Sequence, residues 1–275
     1  MFWTQGEIEI LKEGYFDNGS DLPIGKTKKQ IITKANKLGL KVSKKCKSKK
    51  QSINASISKP TMCNVDAKKF INPDKYASYL LGLLWGDGYL NNISQSYKIS
   101  IECISSDLNQ ILNIFNKTGR WTRTIRQRPN RKEILILQTS NKNLYEYLHT
   151  LNYVNKSHLN STIVESLNEE ILPYWWRGYF DADGCFYAHM QNNCHQLSLS
   201  SSFEQDWTFA ENLFKKLEIK YTIKRRKQLQ NKKINKNSII RTTSKKDCLK
   251  FLKYIYQGEI FGFKRKYEKY ISIIP

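Results

Sequence analysis

The sequence lacks a long apolar run, an export signal and a paired-cysteine motif. No stretch of about 18 apolar residues occurs, so no membrane-spanning helix is expected. The segment MFWTQGEIEI has neither a basic start nor an apolar core, so nothing in it predicts export. The six cysteines form no C-x-x-C pair. We therefore expect reduced thiols and an intracellular location, such as a cytoplasm or nucleoid, a phage-infected cell or an organelle matrix.

One group of potential metal ligands occurs in the segment CFYAHMQNNCH, which contains Cys185, His189, Cys194 and His195. The spacing of these residues is irregular for zinc ligands. Strand alternation would also place the four side chains on both faces of a hairpin. The pattern therefore disfavours a zinc site.

Acidic residues are scarce relative to basic ones. The 275 residues include 46 Lys and Arg against 24 Asp and Glu, a formal net charge of +22. Such an excess usually indicates a polyanionic partner, because each phosphate that is neutralised releases counterions. Since no membrane segment is expected, nucleic acid is the preferred partner.

The first 42 residues predict a small helical module. Thr4 stands in N-cap position with Glu7 three residues later, and Ile8, Leu11 and Tyr15 follow at helical spacing. A second helix is expected to open at Thr27 and to stop at Gly39. Its exposed face carries lysines, and the whole segment resembles Myb-like and helix-turn-helix modules. The resemblance implies contact with DNA; the alternative is a merely solvated face. The lysines nominated for DNA are Lys28, Lys29 and Lys34.

A basic segment without periodicity follows, and we interpret residues 43–72 as a linker. Lysine and serine dominate it, as in KVSKKCKSKK. Such a segment can follow a phosphate backbone or act as a plain tether.

The remainder contains an internal repeat, residues 73–168 and 169–275. YLLGLLWGDGYL at 79–90 matches WWRGYFDADGCF at 175–186, and the same order of helical and alternating segments follows each. Each half predicts helix, two strands, helix, two strands, helix. We therefore expect an α+β fold of two pseudo-symmetric αββαββα repeats that form saddle-shaped sheets, preceded by a small all-helical domain.

Small residues recur four apart on the first helix of each repeat, where they share a face. Gly82 and Gly86 in one helix, and Gly178 and Ala182 in the other, would let the two helices pack closely. Asp87 and Asp183 would then meet at the helix C-termini, where the macrodipole disfavours a carboxylate. The two like charges would also repel each other. A cation would relieve both penalties, and oxygen-rich sites suit Mg²⁺.

These segments resemble the single-chain LAGLIDADG homing endonucleases, which carry two motif copies. WRGYFDADG at 176–184 and LLGLLWGDG at 80–88 carry the resemblance. It implies Asp87 and Asp183 as catalytic acids and metal ligands, with Gly86 and Ala182 as further metal-site residues. Asp181 is expected to be structural. The implied cofactor is Mg²⁺, with Mn²⁺ as a substitute.

The resemblance also implies a basic residue near each acid. YVNKSHL nominates Lys156 and FGFKRKYEKY nominates Lys266, with Lys264 as a rival by register. A lysine there could polarise water or stabilise charge on a phosphorane. The alternative is phosphate tethering without a kinetic role.

Alternation sorts the strand residues into an apolar face and a polar face. In the second repeat Arg225 and Arg241 break the alternation. Arg, Gln and Ser can contact base edges in the major groove, which admits a β-ribbon. The polar residues nominated for DNA are Lys98, Ser100, Glu102, Arg120, Thr122, Thr124, Arg126, Arg128, Gln196, Ser198, Ser200, Thr222, Lys224, Arg226 and Gln228.

Together these patterns predict a site-specific double-stranded DNA endonuclease that acts as a monomeric pseudo-dimer on a long site. The family resemblance implies short 3′ overhangs. The alternatives are an RNA-splicing maturase and a DNA-binding regulator that does not cleave. Both acids are present, which argues against a regulator that has lost them but leaves a maturase open.

Overall fold

The computed structural model describes residues 3–44, 46, 65–127, 129–154, 156, 158–189, 194–230 and 233–274. The chain forms two compact units, residues 1–62 and 63–275. Arg128 and most of the expected linker lie outside the described residues. Among the described helices, none is long and apolar enough to cross a bilayer.

The first unit contains helices α1 (Gln5–Asn18) and α2 (Lys28–Lys37). A capping box opens each helix at the expected threonine, Thr4 or Thr27, because side chain and backbone exchange hydrogen bonds with the residue three positions later. After α2 the chain turns through Gly39, whose φ is +67°, as the sequence predicts. Leu11, Tyr15, Ile24, Ile31 and Ala35 form a small buried core between the helices.

The second unit contains the repeat. Its first half has α3 (Lys68–Ile71), α4 (Lys75–Asp87), β1 (Gly88–Asn91), β2 (Lys98–Ile104), α5 (Ser105–Leu108), α6 (Leu112–Thr118), β3 (Thr122–Arg126), β4 (Ile134–Ser140) and α7 (Lys142–Thr150). Its second half has α8 (Ile163–Ser166), α9 (Leu172–Asp183), β5 (Gly184–His189), β6 (Cys194–Ser202), α10 (Thr208–Lys216), β7 (Thr222–Gln230), β8 (Lys233–Thr242), α11 (Lys245–Ile255) and α12 (Lys264–Ile271).

The two halves form sheets of identical topology. The strand order is β1-β2-β4-β3 in one sheet and β5-β6-β8-β7 in the other, with antiparallel pairing throughout. One face of each sheet packs on helices, and Ile99, Ile101, Leu197 and Leu199 are fully buried there. The α+β fold with two αββαββα repeats is therefore confirmed.

Part of the expected linker belongs to this second unit. Val65 forms a bridge with Gly119, and Phe70 of the short helix α3 is fully buried. The lysine-rich composition of the surrounding segment conceals these two anchoring positions.

The two motif helices, α4 and α9, pack directly against each other. A Cβ atom added at Gly82 would overlap the main-chain oxygen of Trp175, and one added at Gly178 would overlap that of Tyr79. Each glycine therefore lies against the backbone of the opposite helix, which no larger residue would permit. The contact predicted from small residues four apart is present.

The last segment of each repeat contacts the other repeat. Leu159 and Asn160, beyond α7, accept hydrogen bonds from Gln205 and from the main chain of Phe209 in the second half. On the other side, the Arg265 guanidinium donates to Asp107 at 2.9 Å in the first half. Each half is thus stabilised by hydrogen bonds from a segment near the end of the other half.

We predict that Gly82→Ala lowers the free energy of unfolding of the second unit by about 1–3 kcal/mol, because the added methyl group overpacks the helix contact. Urea denaturation followed by tryptophan fluorescence measures this. Gly6→Ala is the control, because a Cβ there meets nothing within 4 Å. Equal stability of the Gly82→Ala protein and the parent would contradict the close contact.

Candidate active site

The two expected acids are the last residues of the motif helices, Asp87 in α4 and Asp183 in α9. A Cβ atom added at Gly86 would lie 3.0 Å from Asp183 Oδ2, so the carboxylate lies beside the end of the opposite helix. The helix contact therefore brings the two acids together, as the sequence predicts.

The surroundings of the acids disfavour negative charge. Although the side chain of Asp87 reaches solvent and that of Asp183 is half-buried, the protein around them displaces much of the water. This burial raises the pKa of both carboxyl groups, and the charge of Asp87 raises the pKa of Asp183 further. The site therefore favours any positive charge that enters it.

Two lysines lie directly behind the acids. Lys156 Nζ donates to the main-chain oxygens of Leu84, Gly86 and Gly88 at 3.1, 2.5 and 2.6 Å. The carbonyl groups of Leu84 and Gly86 belong to the last turn of α4 and that of Gly88 follows it, and the Leu84 oxygen also accepts the Gly88 amide. The ammonium group therefore caps the helix that carries Asp87.

Lys266 does the same at the end of α9. Its Nζ donates to the main-chain oxygens of Asp181 and Gly184, both at 2.7 Å, and to that of Phe180. Burial lowers the pKa of Lys156 and Lys266, in each case to about 8. Lys264, the rival by register, instead forms an exposed ion pair with Glu268 at 3.5 Å.

The capping geometry limits what the two lysines can do in this conformation. An ammonium group has three protons, and in each lysine all three point at main-chain oxygens. Both lysines therefore fix the helix ends and supply positive charge near the acids through space. A direct hydrogen bond to phosphate would require one of these bonds to break.

Asp181 lines the same recess as Asp87 and is 1% exposed. Its Oδ2 accepts hydrogen bonds from the Tyr79 hydroxyl at 2.8 Å and from the Phe263 amide at 2.9 Å. It therefore joins the motif helices to the C-terminal segment, which is the structural role expected for it.

A residue that the sequence does not reveal lies beside one acid only. The Cys103 thiol donates a hydrogen bond to Asp87 Oδ2 at 3.5 Å, and burial together with the Asp87 charge raises its pKa strongly. Gly88 pairs with Ile101, which places Cys103 within reach of the acid. The corresponding pairing of Gly184 with Leu199 brings Ser201 to that position in the second half. The surroundings of the two acids therefore differ.

Arg177 is the second residue missed by sequence reasoning. This fully buried arginine of α9 donates to the main-chain oxygens of Ile255, Gln257, Glu259 and Phe261. It thereby fixes the segment that leads into α12 and Lys266. A single arginine in an apolar helix gives no sequence signal for this contact.

Strand register shows which polar side chains share the face opposite the helices. Lys98, Ser100 and Glu102 of β2 pair through β4 with Thr122 and Thr124. Ser100 and its counterpart Ser198 are each only 5% exposed, so the structure does not leave these two nominated residues accessible. Arg120 is exposed in the turn before β3. In the second sheet the same face carries Gln196, Ser198, Ser200, Thr222, Lys224 and Arg226, together with the strand position of Gln228, whose side chain is outside the described residues.

The structure corrects the inference from sequence that Arg241 breaks the alternation of polar and apolar residues. Arg241 pairs with both Ser198 and Thr222 and therefore lies on the polar face. The neighbouring isoleucines, Ile239 and Ile240, concealed this because Ile239 also lies on the polar face. Arg225 does leave the pattern: it reaches the main-chain oxygens of Phe203 and Gln205.

Two residues nominated separately for DNA contact each other. The Arg126 guanidinium donates to both carboxylate oxygens of Glu102, each at 3.1 Å. The pair is fixed in orientation by its two parallel bonds. Part of the Arg126 guanidinium group is therefore already hydrogen-bonded within the protein.

The nominated lysines of the helical unit all lie on α2. Lys28 and Lys29 are exposed, and Lys34 is half-buried. Lys28 forms an ion pair with Asp21 at 2.8 Å.

The oxygen donors present fit a hard divalent cation. The two carboxylates gain from a positive charge between them, and the carbonyl groups of Gly86 and Ala182 lie at the same helix ends. Lys156 already uses one lone pair of the Gly86 oxygen. In the described part of the chain, no three His, Cys, Asp or Glu side chains converge on a metal position. The acid pair would therefore rely on main-chain, water or phosphate oxygens.

We predict that Lys266→Met lowers the free energy of unfolding by about 1–3 kcal/mol, because buried carbonyl groups lose their donor. Lys264→Met is the matched control and should change stability by less than about 1 kcal/mol, since its ion pair is exposed. Chemical denaturation of both variants measures this. Equal stability of both variants would show that capping by Lys266 contributes nothing.

Comparison with known protein families finds similarity for part of the chain. Residues 170–256 match the model of a LAGLIDADG-like domain. The chain is 25% identical over 129 residues to uncharacterized protein MJ0314 of Methanocaldococcus jannaschii. The aligned residues make up 45% of this chain and 46% of that protein. The chain thus spans less than half the length of this curated relative.

Solved structures with similar folds include variants of the homing endonuclease I-DmoI, at 16% identity and a TM-score of 0.44, covering 67% of this chain and 97% of that chain. The N-terminal LAGLIDADG domain of DUF199/WhiA has 15% identity and a TM-score of 0.46, covering 71% and 86%. Residues 170–256, which make up most of the second repeat, are therefore similar to a LAGLIDADG-like domain.

Proposed function

We propose that this protein is a metal-dependent, site-specific endonuclease that hydrolyses double-stranded DNA. The observation that carries the proposal is the pair of acids, Asp87 and Asp183, at the adjoining ends of two helices that touch through glycine. Each acid lies where a sheet begins, since β1 starts at Gly88 and β5 at Gly184. The polar faces of both sheets thus adjoin the acid pair.

DNA would lie along these polar faces. Their arginine, lysine, serine and glutamine side chains can contact phosphates and base edges, and a two-stranded ribbon fits the major groove. The net charge of +22 supports such a partner electrostatically.

The acids would hold divalent cations against the phosphate, with Mg²⁺ as the proposed ion and Mn²⁺ as a substitute. A bound cation would polarise the phosphate and stabilise charge on the attacking and leaving oxygens. Asp87 and Asp183 would each serve one strand. Because the two acids are fixed by packed helices, the chain holds its metal ligands in place before DNA arrives.

Lys156 and Lys266 would act mainly by position and charge. Their hydrogen bonds to the helix ends fix the position of each acid, and their ammonium groups add positive potential behind the site. Cys103 would restrain Asp87 in a way that has no counterpart at Asp183. The two strands would therefore be cut by chemically distinct half-sites.

We predict that Asp183→Asn and Asp87→Asn each reduce cleavage of at least one strand by about 10²–10⁴-fold, the range found when a catalytic group is removed. DNA affinity measured in Ca²⁺ should stay largely unchanged, because the amide keeps the shape of the carboxylate. A randomised or genomic DNA library with Mg²⁺ supplies the substrate, and strand-resolved gels separate nicks from double-strand breaks.

The exposed Glu165 supplies the control variant, Glu165→Gln, which should cleave normally. Loss of DNA binding in a folded Asp183→Asn protein would make the acid structural. If the parent protein cleaves no DNA and instead binds structured RNA in a salt-dependent manner, the endonuclease proposal fails in favour of an RNA-splicing role.

We also predict that Arg241→Ala weakens DNA binding, with a log–log salt slope smaller in magnitude by about 0.9, the value for one phosphate contact. Arg225→Ala removes the same charge from the same sheet, but Arg225 does not share the polar face and binds main-chain oxygens, whereas Arg241 lies on the polar face, where it donates to the Gln196 side chain at 3.3 Å. The slope of Arg225→Ala should therefore match that of the parent. Titrations at several salt concentrations measure both, and equal slopes for the two variants would exclude the polar face near Arg241 from the interface.

A further inference from the structure

A recess of about 310 Å³ lies beside the acid of the first repeat. Its walls include the Cys103 thiol, one guanidinium group and four carboxylates. The charged residues are Arg265, Asp87, Glu102, Asp107 and Asp181. Since acids outnumber the single arginine, the recess favours a cation over an anion.

Two of these carboxylates already have cationic partners. Glu102 pairs with Arg126 at 3.1 Å, and Asp107 pairs with Arg265 at 2.9 Å. Among the described residues, no ion pair involves Asp87 or Asp181. Two carboxylates of the recess are therefore still without a cationic side chain at contact distance.

Asp181 provides an independent indication that the recess takes a polar ligand. The residue is 1% exposed, and its Oδ1 has no hydrogen-bond partner in the described part of the chain. A buried acceptor without a donor costs free energy. Because Asp181 lines the recess, a hydrated cation there would bring a water molecule that can donate to this oxygen.

The Cys103 thiol and the Asp87 carboxylate have the separation of two ligands on one tetrahedral ion. Sγ lies 3.5 Å from Oδ2. Zinc binds thiolate sulfur at about 2.3 Å and carboxylate oxygen at about 2.0–2.2 Å, and a tetrahedral angle between these bonds places sulfur and oxygen about 3.5–3.7 Å apart. A metal ion could therefore replace the thiol hydrogen bond with little movement of either side chain.

Sulfur changes which ions such a site prefers. Thiolates select zinc and softer cations, whereas carboxylate and water oxygens suit Mg²⁺. In the second half the equivalent position is Ser201, whose hydroxyl donates to the Gln205 side chain at 2.7 Å. The position that holds sulfur beside Asp87 thus holds a hard oxygen beside Asp183.

We propose that Cys103 and Asp87 form a binding site for a thiophilic divalent cation, Zn²⁺ or its analogue Cd²⁺, with water in the recess as the remaining ligands. When the ion binds, the S–H bond of Cys103 breaks, the proton leaves to solvent and a sulfur–metal bond forms. Among the described residues, no third His, Cys, Asp or Glu converges on the position, so water completes the coordination. The proposal rests on the proposed function only in treating Asp87 as a cation ligand.

A thiophilic ion at this site would inactivate one half-site of the proposed endonuclease. The ion would hold Asp87 against Cys103 and exclude Mg²⁺ from that acid, whereas Asp183 would keep its hard cation. Zn²⁺ or Cd²⁺ would therefore convert an enzyme that cuts both strands into one that nicks a single strand.

Titration of the metal-free full chain with Cd²⁺ alone tests the site without DNA. Cys185→Ser/Cys194→Ser is the background, because it removes two exposed thiols. Cd²⁺ should produce the ultraviolet charge-transfer absorption of a cadmium thiolate and release about one proton for each thiol bound. Cys103→Ser and Cys103→Ala should each remove one cadmium thiolate from that total.

Asp87→Asn distinguishes this site from a thiol that binds the metal alone. It should raise the dissociation constant of the Cys103-dependent absorption by about tenfold or more, since loss even of a supporting group costs that much. The exposed Glu165 gives the control Glu165→Gln, which should leave the constant unchanged. Equal absorption with and without Cys103 would overturn the proposal, as would equal constants for Asp87→Asn and Glu165→Gln.

Strand-resolved cleavage supplies the second test. In Mg²⁺, added Cd²⁺ should slow one strand of the parent more than the other, and this difference should disappear in Cys103→Ser, each protein being compared with its own rate in Mg²⁺. Equal inhibition of both strands in the parent would overturn the proposal. If the parent cleaves no DNA, the endonuclease proposal fails, and the Cd²⁺ titration still decides whether the cation site exists.

Discussion

The close approach of α4 and α9 is the constraint on which the second unit depends. Gly82 and Gly178 each lie against a main-chain oxygen of the opposite helix, so the separation of the helix axes is set by backbone contact. Because Asp87 and Asp183 end these helices, the same contact sets the separation of the acids. Both sheets begin at the next residue, and their relative placement follows from it as well.

The helix ends combine unfavourable and favourable charges. A carboxylate at a helix C-terminus meets the negative end of the dipole, and burial raises the pKa of both acids. Lys156 and Lys266 offset this by donating all their protons to the carbonyl groups at those ends. A few opposite charges thus lie together at the two helix ends, and the much larger surplus of positive charge serves the proposed contact with DNA.

The sequence predicts the repeat, the strand and helix order and the meeting of the two acids, because periodicity and glycine spacing act locally. It fails where a side chain depends on register or on distant chain. Arg241 was misassigned since the pair Ile239–Ile240 hides the alternation, and only its pairing with Ser198 and Thr222 resolves it. Cys103 reaches Asp87 through the pairing of Gly88 with Ile101. Arg177 contacts carbonyl groups about 80 residues later, which no local pattern reveals.

The contact of each repeat's last segment with the other repeat limits how such a protein can be recombined. Leu159 and Asn160 lie near the end of the first repeat but bond to the second, and Arg265 lies near the end of the second repeat but bonds to the first. A chimaera that joins one half to a foreign half would separate each end segment from the surface that fixes it. An exchange of one sheet between relatives would therefore have to include the end segment of the other half that bonds to it. The two halves are similar in shape but cannot be exchanged as independent modules.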